Sequence, residues 1–119
     1  MNWNVLFIAI KIVESSCNPA AFNESENAKG YYQIRPIYVE DVNRIAKTSY
    51  QHDDAYDQKK AEEMIRIYAE HYCKIRKIPL TYENVARLHN GGSKGHLKKA
   101  TLPYWKKVKK ELEHRKINL

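Results

Sequence analysis

Apolar residues recur at helical spacing along most of the chain, and the first such segment runs from Asn2 to Ser16. Its residues Trp3, Phe7 and Ile10 are three or four positions apart, so they fall on one face of a helix. Glu14 continues the same face. The pattern therefore predicts an amphipathic α-helix that carries one carboxyl group on its apolar side.

Four further helices follow from the same periodicity. They are predicted to begin near Pro36, to cover Ala55–Lys77, to follow a cap at Thr81 and to begin near Pro103. Between the first two helices, Tyr31–Ile34 is predicted to form a short strand. We therefore expect a mainly α fold of about five helices with a short irregular or β segment, in one domain spanning residues 1–119.

The composition and the net positive charge are typical of a globular protein that binds a polyanion. The chain has 119 residues, 43% hydrophobic and 29% charged, with a net charge of +7. Many of the basic residues crowd toward the C-terminus, as Lys94, Lys98, Lys99, Lys106, Lys107, Lys109 and Lys110. A basic surface favours nucleic acid, an anionic membrane or an anionic cell wall, and charge alone does not select among them.

The cysteines and the longest apolar run exclude several other classes. Cys17 and Cys73 are not arranged as a zinc motif, and two free thiols are favoured over one disulfide. No metal or cofactor is expected, since no phosphate-binding loop or metal-ligand spacing is present. The run Val5–Val13 is too short to span a bilayer and lacks the features of a signal peptide.

Glu14 is the strongest candidate for chemistry. It lies on an apolar face and in the last turn of its helix, where the backbone dipole presents negative charge. Both effects disfavour the ionised carboxyl group, and a carboxyl that keeps its proton can act as a general acid. The alternative interpretation is a helix-end glutamate paired with Lys11 or Arg35.

Three blocks of sequence resemble the signature of lytic transglycosylases and their lysozyme relatives. Glu14-Ser15 and the following Asn18-Pro19-Ala20 match a Glu-Ser that closes the first helix and the Asn-Pro and Ala after it. Ala28-Lys29-Gly30-Tyr31-Tyr32-Gln33 matches the family's Ala-x-Gly-Leu-Met-Gln element, with two tyrosines replacing Leu-Met. His89-Asn90-Gly91-Gly92 and Tyr104-Trp105-Lys106-Lys107-Val108 are similar to segments of invertebrate-type lysozymes.

The resemblance implies a lysozyme-like fold and an enzyme that cleaves the β-1,4 bond between N-acetylmuramic acid and N-acetylglucosamine. Glu14 would be the general acid and base. The positions implied to contact the sugar chain are Gln33, Tyr31, Tyr32, His89 and Asn90. An alternative for His89 is a helix-end residue that interacts with backbone carbonyls.

A second carboxylate would decide the mechanism, because hydrolysis of a glycoside usually uses two. Glu24 is the first candidate and Glu26 the second, and two solvated loop carboxylates are an equally good interpretation. With Glu14 alone, the substrate's N-acetyl group would assist and a 1,6-anhydro product would form. With Glu24 helping, water would attack and the enzyme would be a muramidase.

The remaining expectations concern the alternative to an enzyme, the binding partners and the origin of the chain. The alternative to an enzyme is a non-catalytic basic module that binds nucleic acid, membrane or cell wall through residues 98–116. For the enzyme, we expect a monomer acting on peptidoglycan strands, possible contact with an anionic wall or membrane surface, and no specific nucleic-acid partner. With no export signal visible, a phage endolysin, a virion-associated protein or an excised domain would fit the sequence.

Overall fold

Five α-helices and one short hairpin make up the part of the chain that the structure describes. In the computed structural model, described over residues 1–116, the helices are α1 (Trp3–Ser15), α2 (Pro36–Ala46), α3 (Gln58–Arg76), α4 (Tyr82–Gly91) and α5 (Leu102–His114). Strands β1 (Phe22–Asn23) and β2 (Ala28–Lys29) pair antiparallel. Short 3-10 turns lie at His52–Tyr56, Gly95–Leu97 and Lys99–Thr101. The prediction of a mainly helical fold with five helices is confirmed.

Local side-chain chemistry sets where the helices start. The Asn2 side chain accepts a hydrogen bond from the Val5 amide and caps α1. Thr81 caps α4 in the same way, by accepting from the Asn84 amide, as the sequence predicted. Helix α2 begins at Pro36, whose fixed backbone angle suits a first helical position.

Helix α3 begins later than the pattern indicated. The predicted start was Ala55, but the helix begins at Gln58. Asp57 has an extended backbone, and its side chain accepts a hydrogen bond from the Lys60 amide. This cap interrupts the helical path, so the preceding residues form a separate 3-10 turn.

The segment from Tyr31 to Ile34 is a tight turn and not the predicted strand. Gly30 and Gln33 both have left-handed backbone angles, with φ of +81° and +53°. These angles fold the chain back and leave only a single bridge between Lys29 and Ile34. Gly30 is required here, because a Cβ at this position would lie 2.1 Å from the carbonyl oxygen of Ala55.

One hydrophobic core receives side chains from all five helices and from the turn. Helix α5 packs on α1 and α4, and α3 packs on α2 and α4. The largest fully buried side chains include Tyr32, Leu6, Ile10, Ile34, Met64, Ile65, Leu88 and Leu112. Two core residues, Tyr32 and Ile34, belong to the turn, so the core fixes the turn against the end of α1.

Several broader expectations can be compared with the described residues. Cys17 is exposed and Cys73 is buried, and the two thiols are not joined, as the favoured interpretation held. Within residues 1–116, no helix has the length and apolar character needed to cross a bilayer. The same residues contain no cluster of three or more His, Cys, Asp or Glu side chains placed to hold a metal ion.

Candidate active site

Glu14 lies where the end of α1 meets the core. Helix α1 stops one residue later, because Ser16 has a left-handed backbone and its amide donates to the Ile12 carbonyl. The Glu14 side chain is 18% exposed, and its Oε2 lies 3.2 Å from Nε2 of His89. One end of the carboxyl group is therefore held by the protein interior, while part of the side chain remains open to solvent.

His89 contacts Glu14 from the interior and lies in the last turn of α4. Its side chain is only 2% exposed. Nε2 lies 2.8 Å from the carbonyl oxygen of Tyr32, and Nδ1 lies 3.1 Å from the hydroxyl of Tyr38. Both ring nitrogens are thus occupied by protein groups, and the predicted direct sugar contact is not compatible with this position. The alternative drawn from the sequence, contact with a backbone carbonyl, describes His89 correctly.

Two buried phenols complete the interior side of the site. The hydroxyl of Tyr104, on α5, is buried and makes no hydrogen bond of good geometry within residues 1–116, yet it lies beside Glu14. Burial, and then the charge of Glu14, raise the pKa of Tyr104 well above its usual value. Burial, with the nearby Tyr68 and Glu14, raises the pKa of Tyr38 in the same direction. Both phenols therefore keep their protons and remain available as hydrogen-bond donors.

Ser15 connects the end of α1 to the turn. Its hydroxyl lies 2.8 Å from the carbonyl oxygen of Tyr31 and accepts a hydrogen bond from the Asn18 amide. The sequence pattern assigned no role to Ser15, Tyr38 or Tyr104. The Glu-Ser pair was the one signal that pointed to Ser15.

Gln33 helps to build the turn. Its Nε2 donates to the carbonyl oxygens of Ala21 and Gly30, at 3.3 and 3.0 Å. These bonds tie the turn to the segment before β1. The amide oxygen is left without a partner among the described residues, so only Oε1 remains for the predicted contact with a sugar.

The two tyrosines of the turn have different surroundings. Tyr32 is fully buried, and its hydroxyl donates to Glu62 on α3 at 2.5 Å. It belongs to the core, which corrects the prediction that it contacts the sugar chain. Tyr31 is half-buried, with Nζ of Lys11 lying 5.2 Å from the centre of its ring. Tyr31 thus keeps part of its side chain exposed, while its carbonyl oxygen contacts Ser15 at the end of α1.

A groove beside His89 runs along α2 and the end of α4. It has a volume of about 620 Å³ and is lined in part by Tyr38, His89, Gly91 and Gly92. Asn90 is half-buried at the same end of α4, and its side-chain amide has no hydrogen-bond partner within residues 1–116. Gly92 has a positive φ of +89°, which favours glycine at this position.

Glu24 and Glu26 lie in the turn of the β1–β2 hairpin and are exposed. The turn itself is ordered by Asn23, whose Oδ1 accepts from the Ser25 hydroxyl and the Glu26 amide. Neither glutamate forms an ion pair in the part of the chain that the structure describes. The fold therefore presents both carboxylates to solvent and does not distinguish between them.

Known proteins with similar sequences are lysozymes. No protein-family model matches the chain. A lysozyme from Magallana gigas is 36% identical over 98 residues, which cover 81% of this chain and 70% of that protein. Invertebrate-type lysozyme 6 from Caenorhabditis elegans is 31% identical over 106 residues, covering 81% and 77%. The expectation of a phage origin gains no support from these relatives.

Solved structures with the same fold are also lysozymes. The inhibitor-bound lysozyme from Meretrix lusoria is 30% identical, with a TM-score of 0.77 over 89% of this chain and 87% of that one. The lysozyme from Tapes japonica is 25% identical, with a TM-score of 0.76 over 92% and 89%. Sequence identity, coverage and fold together show that the chain belongs to the invertebrate-type lysozyme family.

Proposed function

We propose that the protein is a muramidase that cleaves the β-1,4 bond of peptidoglycan strands, with Glu14 as the general acid. The observation that carries this proposal is the setting of Glu14. Its side chain is partly exposed, while one oxygen lies 3.2 Å from a buried histidine. A carboxyl group that is fixed on one side and open on the other is suited to transfer a proton to a leaving oxygen.

The reaction would begin with proton transfer from Glu14 to the glycosidic oxygen. The bond from that oxygen to the sugar's anomeric carbon breaks, and positive charge develops on the sugar ring. A water molecule then supplies the new hydroxyl group, and its proton returns to Glu14. We favour hydrolysis over formation of a 1,6-anhydro ring because the similar proteins are named lysozymes.

We assign the second carboxylate to Glu24, which directly follows strand β1. An exposed carboxylate at the hairpin can approach a sugar bound across the turn and stabilise the charge on the ring or orient the water. Glu26, two residues further along the same turn, is the matched control. Glu24→Gln is expected to lower the rate of hydrolysis about 10²-fold, whereas Glu26→Gln leaves it nearly unchanged. Equal activity of both variants and the wild type would remove this assignment.

Three residues are proposed to contact the sugar chain. Tyr31 offers part of its ring, Gln33 its amide oxygen and Asn90 its side-chain amide. Amide groups with an unoccupied oxygen or nitrogen can pair with sugar hydroxyls, and an aromatic face can pack on a sugar ring. Their substitution is expected to raise KM more than it lowers kcat.

The outer face of α5 is proposed to favour an anionic bacterial wall. Lys106, Lys107, Lys109 and Lys110 are all exposed, on the side opposite the buried Val108 and Leu112. Such a face attracts polyanions without specific contacts, so binding to whole cell walls should weaken as salt increases. We propose that the protein acts there as a monomer.

The test of the main proposal is a digestion of purified peptidoglycan by wild type and by Glu14→Gln, with products identified by mass spectrometry. Reducing muropeptides from the wild type, and a loss of about 10²- to 10⁴-fold in the variant, are expected. Anhydro products would show a transglycosylase instead. Equal product from both proteins would exclude Glu14 as the acid. No product from the folded wild type would favour the binding-module alternative.

A further inference from the structure

We propose that His89 is a positioning residue for Glu14, whose carboxyl oxygen Oε2 lies 3.2 Å from the buried imidazole. The inference rests on the proposed function, in which Glu14 is the acid. It assigns a role to a buried side chain that does not contact the substrate.

The hydrogen bonds of His89 determine which ring nitrogen carries hydrogen. Nε2 lies 2.8 Å from the carbonyl oxygen of Tyr32, and a carbonyl oxygen can only accept. Nε2 must therefore carry a hydrogen. In the neutral ring, Nδ1 is then an acceptor, and its partner at 3.1 Å is the Tyr38 hydroxyl. The raised pKa of Tyr38, caused mainly by burial, keeps that hydroxyl protonated and able to donate.

The same ring nitrogen contacts Glu14. Oε2 of Glu14 lies 3.2 Å from Nε2, beside the shorter hydrogen bond that Nε2–H donates to the Tyr32 carbonyl oxygen at 2.8 Å. Because burial and the contacts of both ring nitrogens fix the imidazole, the carboxyl group of Glu14 lies against a fixed edge of the ring. The Glu14 side chain is 18% exposed, so its carboxyl group is placed by the interior while part of the side chain stays open to solvent.

Other groups around the pair do not replace His89 in this role. Titratable or charged side chains that act on it or its partners from the packed elements are Tyr32 and Arg35 near the turn, Tyr38 and Asp41 on α2, Tyr68 on α3 and Tyr104 on α5. Tyr68 acts through Tyr38, on which its ring is stacked at 4.1 Å. Tyr104 lies beside Glu14 but makes no hydrogen bond of good geometry within residues 1–116. His89 differs from these groups because contacts of both ring nitrogens fix its ring and a distance of 3.2 Å joins Nε2 to the acid.

The experiment compares His89→Leu, which removes the donor, with His89→Gln, which keeps an N–H group at a similar reach. The control is His52→Leu. His52 also contacts a carbonyl of the same segment, that of Ile34 at 2.8 Å, and takes no part in the acid's contacts. The readouts are kcat and KM on soluble peptidoglycan oligomers, so that an effect on the reaction is separated from an effect on binding. Circular dichroism and thermal melting establish that each variant is folded.

His89→Leu is expected to lower kcat about 10- to 100-fold with little change in KM, because the acid loses its orientation. His89→Gln should restore most of kcat, and His52→Leu should change neither kcat nor KM. Equal losses in His89→Leu and His52→Leu, a loss that appears in KM and not in kcat, or no recovery of kcat in a folded His89→Gln would overturn the inference.

Failure of the inference differs from failure of the proposed function. Full activity in Glu14→Gln rejects Glu14 as the acid, whatever His89 does. An inactive Glu14→Gln together with unaltered His89 variants rejects the positioning role alone. If His89→Leu does not fold, the wild type still gives a result by ¹⁵N NMR of the imidazole. Hydrogen on Nε2 at neutral pH, with a ring shift that responds to Glu14→Gln, is expected, and hydrogen on Nδ1 alone would overturn the inference.

Discussion

The interior side of the site and the β1–β2 hairpin present carboxylates in opposite ways. Glu14 is held where α1, α4 and α5 meet, with His89 at 3.2 Å and the buried phenol of Tyr104 beside it. Glu24 lies on an exposed turn and has no ion pair within residues 1–116. Proton transfer needs a fixed donor, whereas charge stabilisation and water activation tolerate more movement. The fold therefore restrains the first carboxylate far more than the second.

The largest expected effect comes from shortening the side chain of Glu14 by one methylene, and the same change at Glu24 serves as the comparison. Glu14→Asp withdraws the carboxyl group from His89, so we expect kcat to fall about 10²-fold. Glu24→Asp moves a carboxylate that no described partner fixes, so most of the activity should remain. Initial rates on soluble peptidoglycan oligomers check both variants. Similar losses in the two would show that the hairpin is as rigid in the working enzyme as the interior.

The attachment of the hairpin to the rest of the protein gives the second effect. Gly30→Ala places a Cβ 2.1 Å from the Ala55 carbonyl oxygen, at a left-handed φ. We expect the free energy of unfolding to fall by about 2 kcal/mol. Gly92→Ala is the control, because its φ is also positive but an added Cβ would lie 3.9 Å from the nearest atom, the hydroxyl oxygen of Tyr68. Urea denaturation should show a smaller loss for Gly92→Ala, and equal losses would mean that the close approach of Gly30 does not matter.

Low pH should destabilise the 3-10 turn His52–Tyr56, which packs against strand β2 of the hairpin. The Gln51 amide donates to Asp54, and this bond is the main reason that the pKa of Asp54 is lowered. A lowered pKa in the folded protein contributes stability above the unfolded value of about 3.9. That contribution is lost as the pH falls through the lower, folded value.

Wild-type Tm should therefore fall more steeply than that of Asp54→Asn between about pH 5 and about pH 2. Glu113→Gln, at an exposed position on α5, should follow the wild-type curve. The measurement is Tm by circular dichroism over this pH range. Parallel curves for wild type and Asp54→Asn would contradict the expected role of the bond.

The smallest effect is expected at the ion pair between the hairpin and the 3-10 turn. Nζ of Lys29 lies 2.7 Å from Asp53, whose side chain is 80% exposed. Such pairs contribute little because solvent screens them and both side chains lose freedom. Lys29→Met should leave Tm almost unchanged at any salt concentration. A clear loss that disappears at high salt would show that charge, and not the close fit of Gly30, holds the hairpin.

The sequence predicted the helices well because their apolar spacing is local information. The cap at Thr81 and the start at Pro36 were predictable for the same reason. The strand predicted over Tyr31–Ile34 was wrong, since aromatic residues favour strands but the left-handed angles of Gly30 and Gln33 dominate. A local pattern does not contain the close approach of Ala55 that requires this path.

The site was predictable only in part. The apolar stripe of the first helix pointed to Glu14, but burial of the residues around it depends on contacts between distant segments. Tyr32 and His89 were expected to meet the sugar and are instead buried. The roles of Tyr38 and Tyr104 arise because α2 and α5 converge on α4 and α1, which no spacing within one helix shows.

The turn Tyr31–Ile34 contacts its neighbours through backbone carbonyl oxygens, which every amino acid has. The carbonyl oxygens of Tyr31, Tyr32 and Ile34 contact Ser15, His89 and His52, in that order. Side chains in the turn can therefore vary during evolution without loss of these three contacts, provided that the backbone keeps its path and the core stays filled. Two tyrosines in place of Leu-Met are one such solution. Libraries randomised at position 31 should thus yield many active enzymes, position 32 should accept mainly large apolar or aromatic residues that fill the core, and position 30 should accept almost nothing but glycine.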